Sequence, residues 1–242
     1  MNDATFQKHL WLSSVPLVRL NDQQMPTKFA SGCLIDYFGK RVLLTVSHAT
    51  RDQKNWAIQL RYVPGTGTET FQLGTMWFLA KASLSEPKLK NVDFSYVEIP
   101  PTVRAYRQEI EAPANVVKSE TLIAVYTPSL EDTPKPGDNF GFCGMVMPTS
   151  ENHFGQTYIG VTPRVYSGLS FLRTENNYHV FSLPFPHPGH KHFKGCSGAP
   201  ILSSTGSIVA LVCKGFKKTN EIWGISVRAY KTPIDILVGN VG

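Results

Sequence analysis

Glycine and proline interrupt this 242-residue chain every few residues, with 19 glycines and 17 prolines in all. Between these turn formers lie short runs rich in β-branched and aromatic residues, such as residues 42–46, 94–99 and 208–213. Runs of this length and composition predict strands rather than helices. Many short strands with few helices favour an all-β barrel or sandwich over a parallel α/β sheet.

Two short helices are predicted, one near each end of the chain. The first covers residues 5–12. The second follows Thr232, which can cap it, with Pro233 at the first helical position and Asp235 in the first turn, where the helix dipole favours an acid. Residues 100–118 are polar, contain prolines and lack a strand pattern. This segment is therefore predicted to connect two β halves of similar size, residues 1–115 and 116–242.

The composition excludes several classes of protein. With 42% hydrophobic and 17% charged residues, the chain is predicted to be globular. Its net charge of +6 is spread over scattered lysines and arginines, so no nucleic-acid partner is expected. It has no apolar run of about 18 residues, so no membrane partner is expected either. The first residues lack the pattern of a secretory signal, and we expect a cytoplasmic protein.

The cysteines and histidines do not form a recognisable metal motif. Four widely separated cysteines, without a Cys-x-x-Cys pair, are predicted to be free core residues: Cys33, Cys143, Cys196 and Cys213. His187, His190 and His192 lie in one loop, but no cysteine or carboxylate completes a zinc site with suitable spacing. Structural or substrate-contacting roles are favoured for these histidines, and no metal or organic cofactor is expected.

Three short motifs carry residues with catalytic potential. His48 follows the apolar run 42–46, Asp93 opens the run 94–99, and Ser197 lies in a turn between Gly195 and Gly198. Each alone is most simply a structural residue. Together they fit acyl transfer, because a serine nucleophile needs a neighbouring base, and a carboxylate can fix the tautomer of a histidine base.

The turn before Ser197 can also supply an oxyanion hole. Gly195 permits a backbone conformation that a residue with a Cβ would resist. The N–H groups of Gly195 and Ser197 could then converge on one oxygen, an interaction of about 3–4 kcal/mol per donor.

These residues carry a family resemblance. Residues 195–200, Gly-Cys-Ser-Gly-Ala-Pro, resemble the Gly-Asp-Ser-Gly-Gly-Pro signature of chymotrypsin/trypsin-like serine proteases. Residues 45–49 are similar to their Thr-Ala-Ala-His segment, and residues 93–99 to their Asp-Ile-Ala-Leu-Leu-x-Leu segment. The pattern is most similar to the protease domain of the disulfide-free bacterial members of the high-temperature-requirement type.

The resemblance implies an all-β fold of two six-stranded antiparallel β-barrels with a short C-terminal helix. Residues 1–115 would form the N-terminal barrel, with His48 and Asp93, and residues 116–242 the C-terminal barrel, with Ser197 and the helix. It assigns His48 as general base and acid, Asp93 as its orienting partner and Ser197 as nucleophile. The N–H groups of Gly195 and Ser197 would form the oxyanion hole.

Cys196 departs from the family pattern. It replaces the aspartate that pairs with a newly cut N-terminus in secreted zymogens, so activation by that ion pair is not expected. A thiol here is also a rival nucleophile. Using it would shift the motif by one residue and aim the side chain the other way, so Ser197 is favoured.

By the same resemblance, the segment before Ser197 forms one wall of the pocket for the residue preceding the scissile bond. The opposite wall would be residues 212–215, and the pocket candidates are Lys191, His192, Val212, Cys213 and Lys214. Lys191 falls at the pocket base, where trypsin-like enzymes carry a carboxylate, which argues against cleavage after lysine or arginine. An acidic or polar side chain could pair with Lys191 and His192; an apolar pocket with both side chains in solvent is equally compatible.

The predicted function is that of a cytoplasmic serine endopeptidase, which forms an acyl-enzyme with a protein or peptide substrate. The substrate would add as a strand beside residues 212–215. A regulatory protein partner is a further expectation, because an intracellular protease must be restrained. The alternatives are a catalytically silent peptide-binding or scaffolding module, and an esterase or acyltransferase that uses the same triad.

Overall fold

The computed structural model describes residues 2–51, 54–83, 86–111, 116–153 and 156–240. Strands dominate, which confirms the all-β fold class. The described helices are short: α1 (Asp3–Trp11), α2 (Ser47–Thr50) and α3 (Lys231–Val238), with a 3₁₀ turn at Arg228–Tyr230. None of these helices has the length and apolar character needed to cross a membrane.

The first half of the chain is built around one large sheet. Its strands follow the order β5-β4-β1-β2-β3-β7-β6, and β10 pairs in parallel with β2. Two further strands, β8 and β9, form a separate hairpin. The strands are β1 (Val15–Leu20), β2 (Pro26–Tyr37), β3 (Lys40–Thr45), β4 (Trp56–Val63), β5 (Gly67–Gln72), β6 (Trp77–Ser83), β7 (Glu86–Ile99), β8 (Tyr106–Glu111), β9 (Val116–Leu122) and β10 (Val125–Tyr126).

The second half is a closed antiparallel barrel of six strands in the order β11-β12-β13-β16-β15-β14. Pairing of Phe140 with Ser203 and of Gly141 with Leu202 joins β11 to β14 and closes it. The strands are β11 (Asn139–His153), β12 (Gln156–Glu175), β13 (Tyr178–Ser182), β14 (Pro200–Ser203), β15 (Ile208–Phe216) and β16 (Glu221–Ser226).

The second barrel has the predicted six strands, whereas the sheet of the first half has eight rather than six. β5 and β6 extend the sheet at its two ends, and β10 adds to β2. Residues 100–118, predicted to be a connection, instead contain β8 and the start of β9. Most β8 and β9 side chains are at least partly exposed, so they lack the apolar alternation that identifies a strand.

The predicted boundary between residues 115 and 116 falls at a segment, residues 112–115, outside the described residues. β8, which precedes that segment, pairs with β9, which follows it. The division of the chain at this point stays a prediction.

Both terminal helices form, although the capping of the second differs from the prediction. Helix α3 continues directly from the 3₁₀ turn and begins at Lys231, so Thr232 lies inside it and caps nothing. Asp235 instead accepts hydrogen bonds from Tyr37 Oη at 2.8 Å and from Lys231 Nζ at 2.7 Å. The bond from Tyr37 attaches the C-terminal helix to strand β2 of the first half, whereas the bond from Lys231 lies within the helix.

Helix α1 helps to join the two halves. Asn2 caps it by accepting a hydrogen bond from the Thr5 amide at 2.8 Å. Its apolar side chains Phe6 and Leu10 are buried, and Leu10 packs against Gly141 of β11. Both belong to a core cluster that also contains β2 and β3 residues of the first half and β14 and β15 residues of the second. The shared core therefore lies between the halves.

All four cysteines are free thiols, and all are buried. Cys33 and Cys213 lie in the core shared by the halves, and Cys196 in the core of the second barrel. Burial raises the pKa of each thiol above its ordinary value. The thiolate form, which reacts with electrophiles, is therefore suppressed at neutral pH.

We expect Leu10→Ala to lower the free energy of unfolding by about 2–5 kcal/mol, because it removes buried methyl groups and leaves a cavity between α1 and β11. Urea denaturation measures the change. The matched control is Lys8→Ala, an exposed residue on the same helix, with an expected change of no more than about 0.5 kcal/mol. Equal effects of the two substitutions would contradict the docking of α1 on the second barrel.

We expect the native protein at pH 7 to react with a chromogenic disulfide reagent at least about tenfold more slowly than the unfolded protein, since thiolate and access are both suppressed. After denaturation without reductant, all four cysteines should react. Rapid modification of one native thiol, identified by peptide mapping, would show that this cysteine is accessible and ionised.

Candidate active site

The three motif residues converge at the junction of the two halves. His48 lies in α2, immediately after β3. Asp93 is on β7, two residues before Ser95, which pairs with Thr45 at the end of β3. Ser197 lies in the turn that precedes β14. The β3–β7 pairing thus places the histidine and the carboxylate side by side, and the turn brings the serine from the second barrel.

Asp93 holds His48 by its ring and by its backbone. His48 Nδ1 lies 2.8 Å from Asp93 Oδ2, and the His48 amide donates to Asp93 Oδ1 at 2.9 Å. Burial alone would raise the pKa of Asp93, but the hydrogen bonds and charge of His48, together with the Cys213 thiol, hold that pKa below its usual value. The carboxylate is therefore ionised at neutral pH, and it favours the tautomer with the proton on His48 Nδ1.

Ser197 completes the chain of hydrogen bonds. Its Oγ lies 2.9 Å from His48 Nε2, the nitrogen that faces away from Asp93. With the proton of the neutral ring on Nδ1, Nε2 is free to accept the serine proton. The arrangement thus places nucleophile, base and orienting carboxylate in series.

The backbone before Ser197 forms a tight turn of type II. The Cys196 amide donates to the Phe193 carbonyl at 3.0 Å, and Gly195, the third residue of the turn, has φ +103°. In the described part of the chain, neither the Gly195 nor the Ser197 N–H donates to another protein group. Both predicted oxyanion-hole donors are therefore available to a ligand.

Ser31 of β2 fastens this turn to the first half of the chain. Its amide donates to the Ser197 carbonyl at 2.8 Å, and its Oγ donates to the Gly195 carbonyl at 2.8 Å. Thr45 Oγ1 donates in turn to the Ser31 carbonyl at 2.8 Å. Ser31 is fully buried, so these bonds are shielded from water. Ser31 was not predicted to be a site residue, since its only signal in the sequence was a place in a glycine-containing strand.

Gly198 permits the close approach of the two halves. A Cβ at this position would lie 2.0 Å from the Ser31 carbonyl oxygen and 2.3 Å from Thr45 Oγ1. Its φ of +89° is also one that residues with side chains rarely adopt. A glycine is therefore required directly after Ser197.

Cys196 faces the opposite way from Ser197. Its side chain is buried against Gly144, and its Sγ lies 3.8 Å from the Met145 carbonyl. Burial raises the pKa of this thiol well above its ordinary value. A buried, protonated thiol in this position is not placed to act as the rival nucleophile.

A cleft of about 400 Å³ opens beside His48 and Ser197. Four of the five predicted pocket residues line it: Lys191, Val212, Cys213 and Lys214. The ammonium of Lys214 lies over the rings of Tyr178 and Trp223, 4.6 and 5.2 Å from their centroids. Phe29, Phe193 and Ile222 add apolar surface to the cleft.

His192, the fifth predicted pocket residue, is not among the described residues that line the cleft. Its Nε2 instead lies 2.6 Å from Tyr166 Oη, and its ring packs edge-on against Tyr166 and Phe193. The aromatic cluster around Tyr166 holds the imidazole away from the cleft, and the assignment of His192 to the pocket is corrected accordingly.

Solved structures share this architecture at low sequence identity. A serine endoprotease from Yersinia pestis is 12% identical, with a TM-score of 0.59, over 99% of this chain and 68% of that one. Neuropsin, a serine protease of mouse brain, is 14% identical, with a TM-score of 0.59, over 95% of each chain. Human heparin binding protein is 13% identical, with a TM-score of 0.58, over 97% of this chain and 94% of that one.

No protein-family model and no curated protein matches the sequence. At these identities the structural likeness establishes the fold alone. The chain has the chymotrypsin-like fold of two packed β halves with a short C-terminal helix.

Proposed function

We propose that this protein is a serine endopeptidase that uses Ser197 as nucleophile, His48 as general base and acid, and Asp93 as the orienting carboxylate. The observation that carries the proposal is the continuous chain Ser197 Oγ–His48 Nε2–His48 Nδ1–Asp93 Oδ2, with separations of 2.9 and 2.8 Å at its two hydrogen bonds. The combination is specific to nucleophilic catalysis, because a structural histidine has no need of a serine on one nitrogen and a carboxylate on the other.

In the first half of the reaction, Ser197 Oγ attacks the carbonyl carbon of the scissile peptide bond while its proton passes to His48 Nε2. Asp93 remains ionised and stabilises the imidazolium that forms. The N–H groups of Gly195 and Ser197 receive the oxyanion of the tetrahedral intermediate. The intermediate then expels the amine, which takes the proton from His48 Nε2 and leaves an acyl-enzyme.

In the second half, water attacks the acyl carbon and gives a proton to His48 Nε2. Collapse of the second tetrahedral intermediate releases the new carboxyl group, and the proton returns to Ser197 Oγ. Atoms and charge balance over the cycle, and this chain's residues suffice for every proton transfer.

A polypeptide substrate fits the edge of β15. Residues 214–216 pair with β16 on one side, whereas β14 pairs only with β15 residues up to Leu211. Among the described residues no strand pairs with the opposite edge of residues 213–216, so a substrate can add there as a strand, with main-chain hydrogen bonds to β15.

We further propose a cytoplasmic setting and a kinship with the high-temperature-requirement type, which the four free thiols support.

The fold does not by itself establish catalysis, since one of its similar structures is named for heparin binding rather than for cleavage. A fluorophosphonate probe tests the nucleophile directly. We expect labelling of Ser197 and cleavage of casein by the native protein, and for Ser197→Ala a loss of labelling and a fall in kcat of roughly 10⁶-fold.

The matched control is Cys196→Ala, which should keep labelling and activity, because the buried thiol is placed away from His48. Cleavage by Ser197→Ala together with inactivity of Cys196→Ala would assign the reaction to the cysteine. A folded protein that neither labels nor cleaves would instead fit a silent peptide-binding module, and cleavage of small esters without casein would fit an esterase.

We expect Ser31→Ala to lower kcat by roughly 10- to 100-fold with little change in KM, because the Gly195 carbonyl loses a buried hydrogen bond of about 1–3 kcal/mol and the oxyanion-hole turn loses its support. Ser13→Ala is the control, since Ser13 is equally buried and its Oγ donates to the Leu10 carbonyl at 2.7 Å, away from the turn. Steady-state kinetics and thermal unfolding of both variants are required. We expect Ser13→Ala to lower stability and leave kcat unchanged. If Ser31→Ala does the same, Ser31 has a purely structural role.

A further inference from the structure

Lys214 is an exposed cation on the wall of the candidate cleft. It lies on β15 and is one of the described residues that line the cleft together with His48 and Ser197. Within the described part of the chain, its ammonium takes part in no hydrogen bond and no ion pair. None of the described residues that line the cleft is an aspartate or glutamate. The charge of Lys214 is therefore available to a ligand in the cleft.

Two aromatic rings hold this ammonium in place. It lies 4.6 Å from the centroid of the Tyr178 ring and 5.2 Å from that of the Trp223 ring. Trp223 is the β16 residue paired directly with Lys214, and the two rings are 6.0 Å apart. Aromatic faces attract a cation but do not neutralise it. Lys214 thus has a preferred position and keeps its whole charge.

A second cation beside Trp223 gives a contrast. The guanidinium of Arg173 lies 5.9 Å from the same ring system, and Arg173 is not among the described residues that line the cleft. It pairs with Glu221 at 2.8 Å and with Glu175. The fold therefore supplies carboxylates to the cation outside the cleft, whereas Lys214, which lines the cleft, receives none from the described residues.

A substrate strand added to β15 would pass beside Lys214. The Gly198 amide donates to the Val212 carbonyl, and the Val212 amide donates to the Ala199 carbonyl, each at 2.8 Å. These bonds occupy the edge of β15 as far as Val212, so the scissile bond, which must meet Ser197, lies at that end. Both neighbours of β15 are antiparallel to it. A substrate in the same orientation has the residues that precede the cut beside Lys214.

The alternation of side chains identifies which substrate residue faces Lys214. A Cβ at Gly215 would lie 3.1 Å from Cδ1 of Ile222, which lines the cleft, so Lys214, the preceding residue, faces the opposite side of the strand. With the residue next to the cut in the apolar part of the cleft, beside Ile222, the residue before it turns to the Lys214 side. Opposed residues of an antiparallel pair have Cβ atoms about 4.5–5.5 Å apart, which is within reach of a carboxylate and an ammonium.

We propose that Lys214 is a specificity-determining residue whose ammonium binds the side-chain carboxylate of a glutamate or aspartate at the second position before the scissile bond. The inference rests on the proposed peptidase function and narrows its substrates to polypeptides with an acidic residue at that position. The same charge opposes a lysine or arginine there. Selection at the residue next to the cut is left to the rest of the cleft.

The test is a set of peptides that differ only at the second residue before the cut: glutamate, glutamine or lysine. We expect kcat/KM to fall in that order, with glutamate about two- to fivefold above glutamine and at least about fivefold above lysine, since pairs of exposed charges contribute modestly. Raising the salt from about 0.05 to about 0.5 M should shrink the glutamate-to-lysine ratio to less than about twofold, because salt screens exposed charges. Equal rates, or a ratio indifferent to salt, would overturn the proposal.

Charge variants assign the preference to Lys214. Lys214→Gln should bring the three rates within about twofold of one another. Lys214→Glu should invert the order, so that the lysine peptide is cleaved fastest, an outcome that a general loss of activity cannot produce. The matched control is Lys218→Gln, which removes the same charge from an exposed turn residue that is not among those described as lining the cleft. An undiminished order in Lys214→Gln, or an equal loss in Lys218→Gln, would overturn the role of Lys214.

A binding measurement separates this inference from the proposed function. Fluorescent peptides that end at the residue before the cut, with glutamate, glutamine or lysine as the second-last residue, are titrated against Ser197→Ala and against Ser197→Ala combined with Lys214→Glu. We expect the single variant to bind the glutamate peptide most tightly and the double variant to bind the lysine peptide most tightly. If the native protein neither labels nor cleaves but this pattern holds, the peptidase proposal fails alone. If it cleaves casein without this pattern, only the present inference fails.

Discussion

The hydrogen bonds between Ser31 and the nucleophile turn are the connection on which the candidate site depends. The triad residues come from different halves of the chain, so their geometry requires the halves to be held in register. Ser31 does this with its amide on the Ser197 carbonyl and its hydroxyl on the Gly195 carbonyl. Gly198 lets the two backbones meet closely enough for these bonds. One buried strand residue thereby holds the carbonyl groups of Gly195 and Ser197, the two residues whose N–H groups are the proposed oxyanion donors.

Neutral groups hold the turn in this protein. Cys196 fills the space against Gly144 with an uncharged thiol. Burying an ionised group there would require a partner of opposite charge to offset desolvation. A packed thiol and hydrogen bonds from a buried serine require none. The turn can therefore adopt its binding geometry on folding, without a new N-terminus to form an ion pair, and restraint of a peptidase built this way would have to act on the cleft rather than on the turn.

The sequence was sufficient to predict what depends on local pattern, and insufficient for what depends on contacts between distant segments. His48, Asp93 and Ser197 were identified from short motifs, and the structure brings them together. The strands β8 and β9 were missed because most of their side chains are at least partly exposed, which removes the alternation that marks a strand. Ser31 gave no local signal, since its importance comes from a segment far away in sequence, the turn at Gly195.

His48 and His187 show how one side chain can take two roles through its surroundings. His48 has a carboxylate on Nδ1 and a serine on Nε2, and its side chain is 46% exposed. That arrangement gives each ring nitrogen its own hydrogen-bond partner and turns Nε2 towards the hydroxyl whose proton a general base would accept. His187 has a backbone N–H on Nδ1, aromatic and aliphatic neighbours, and positive residues nearby. Those contacts oppose protonation and keep a single N–H at a fixed place. The first environment suits proton transfer, and the second suits a structural role in which the neutral ring fills the space beside Gly215.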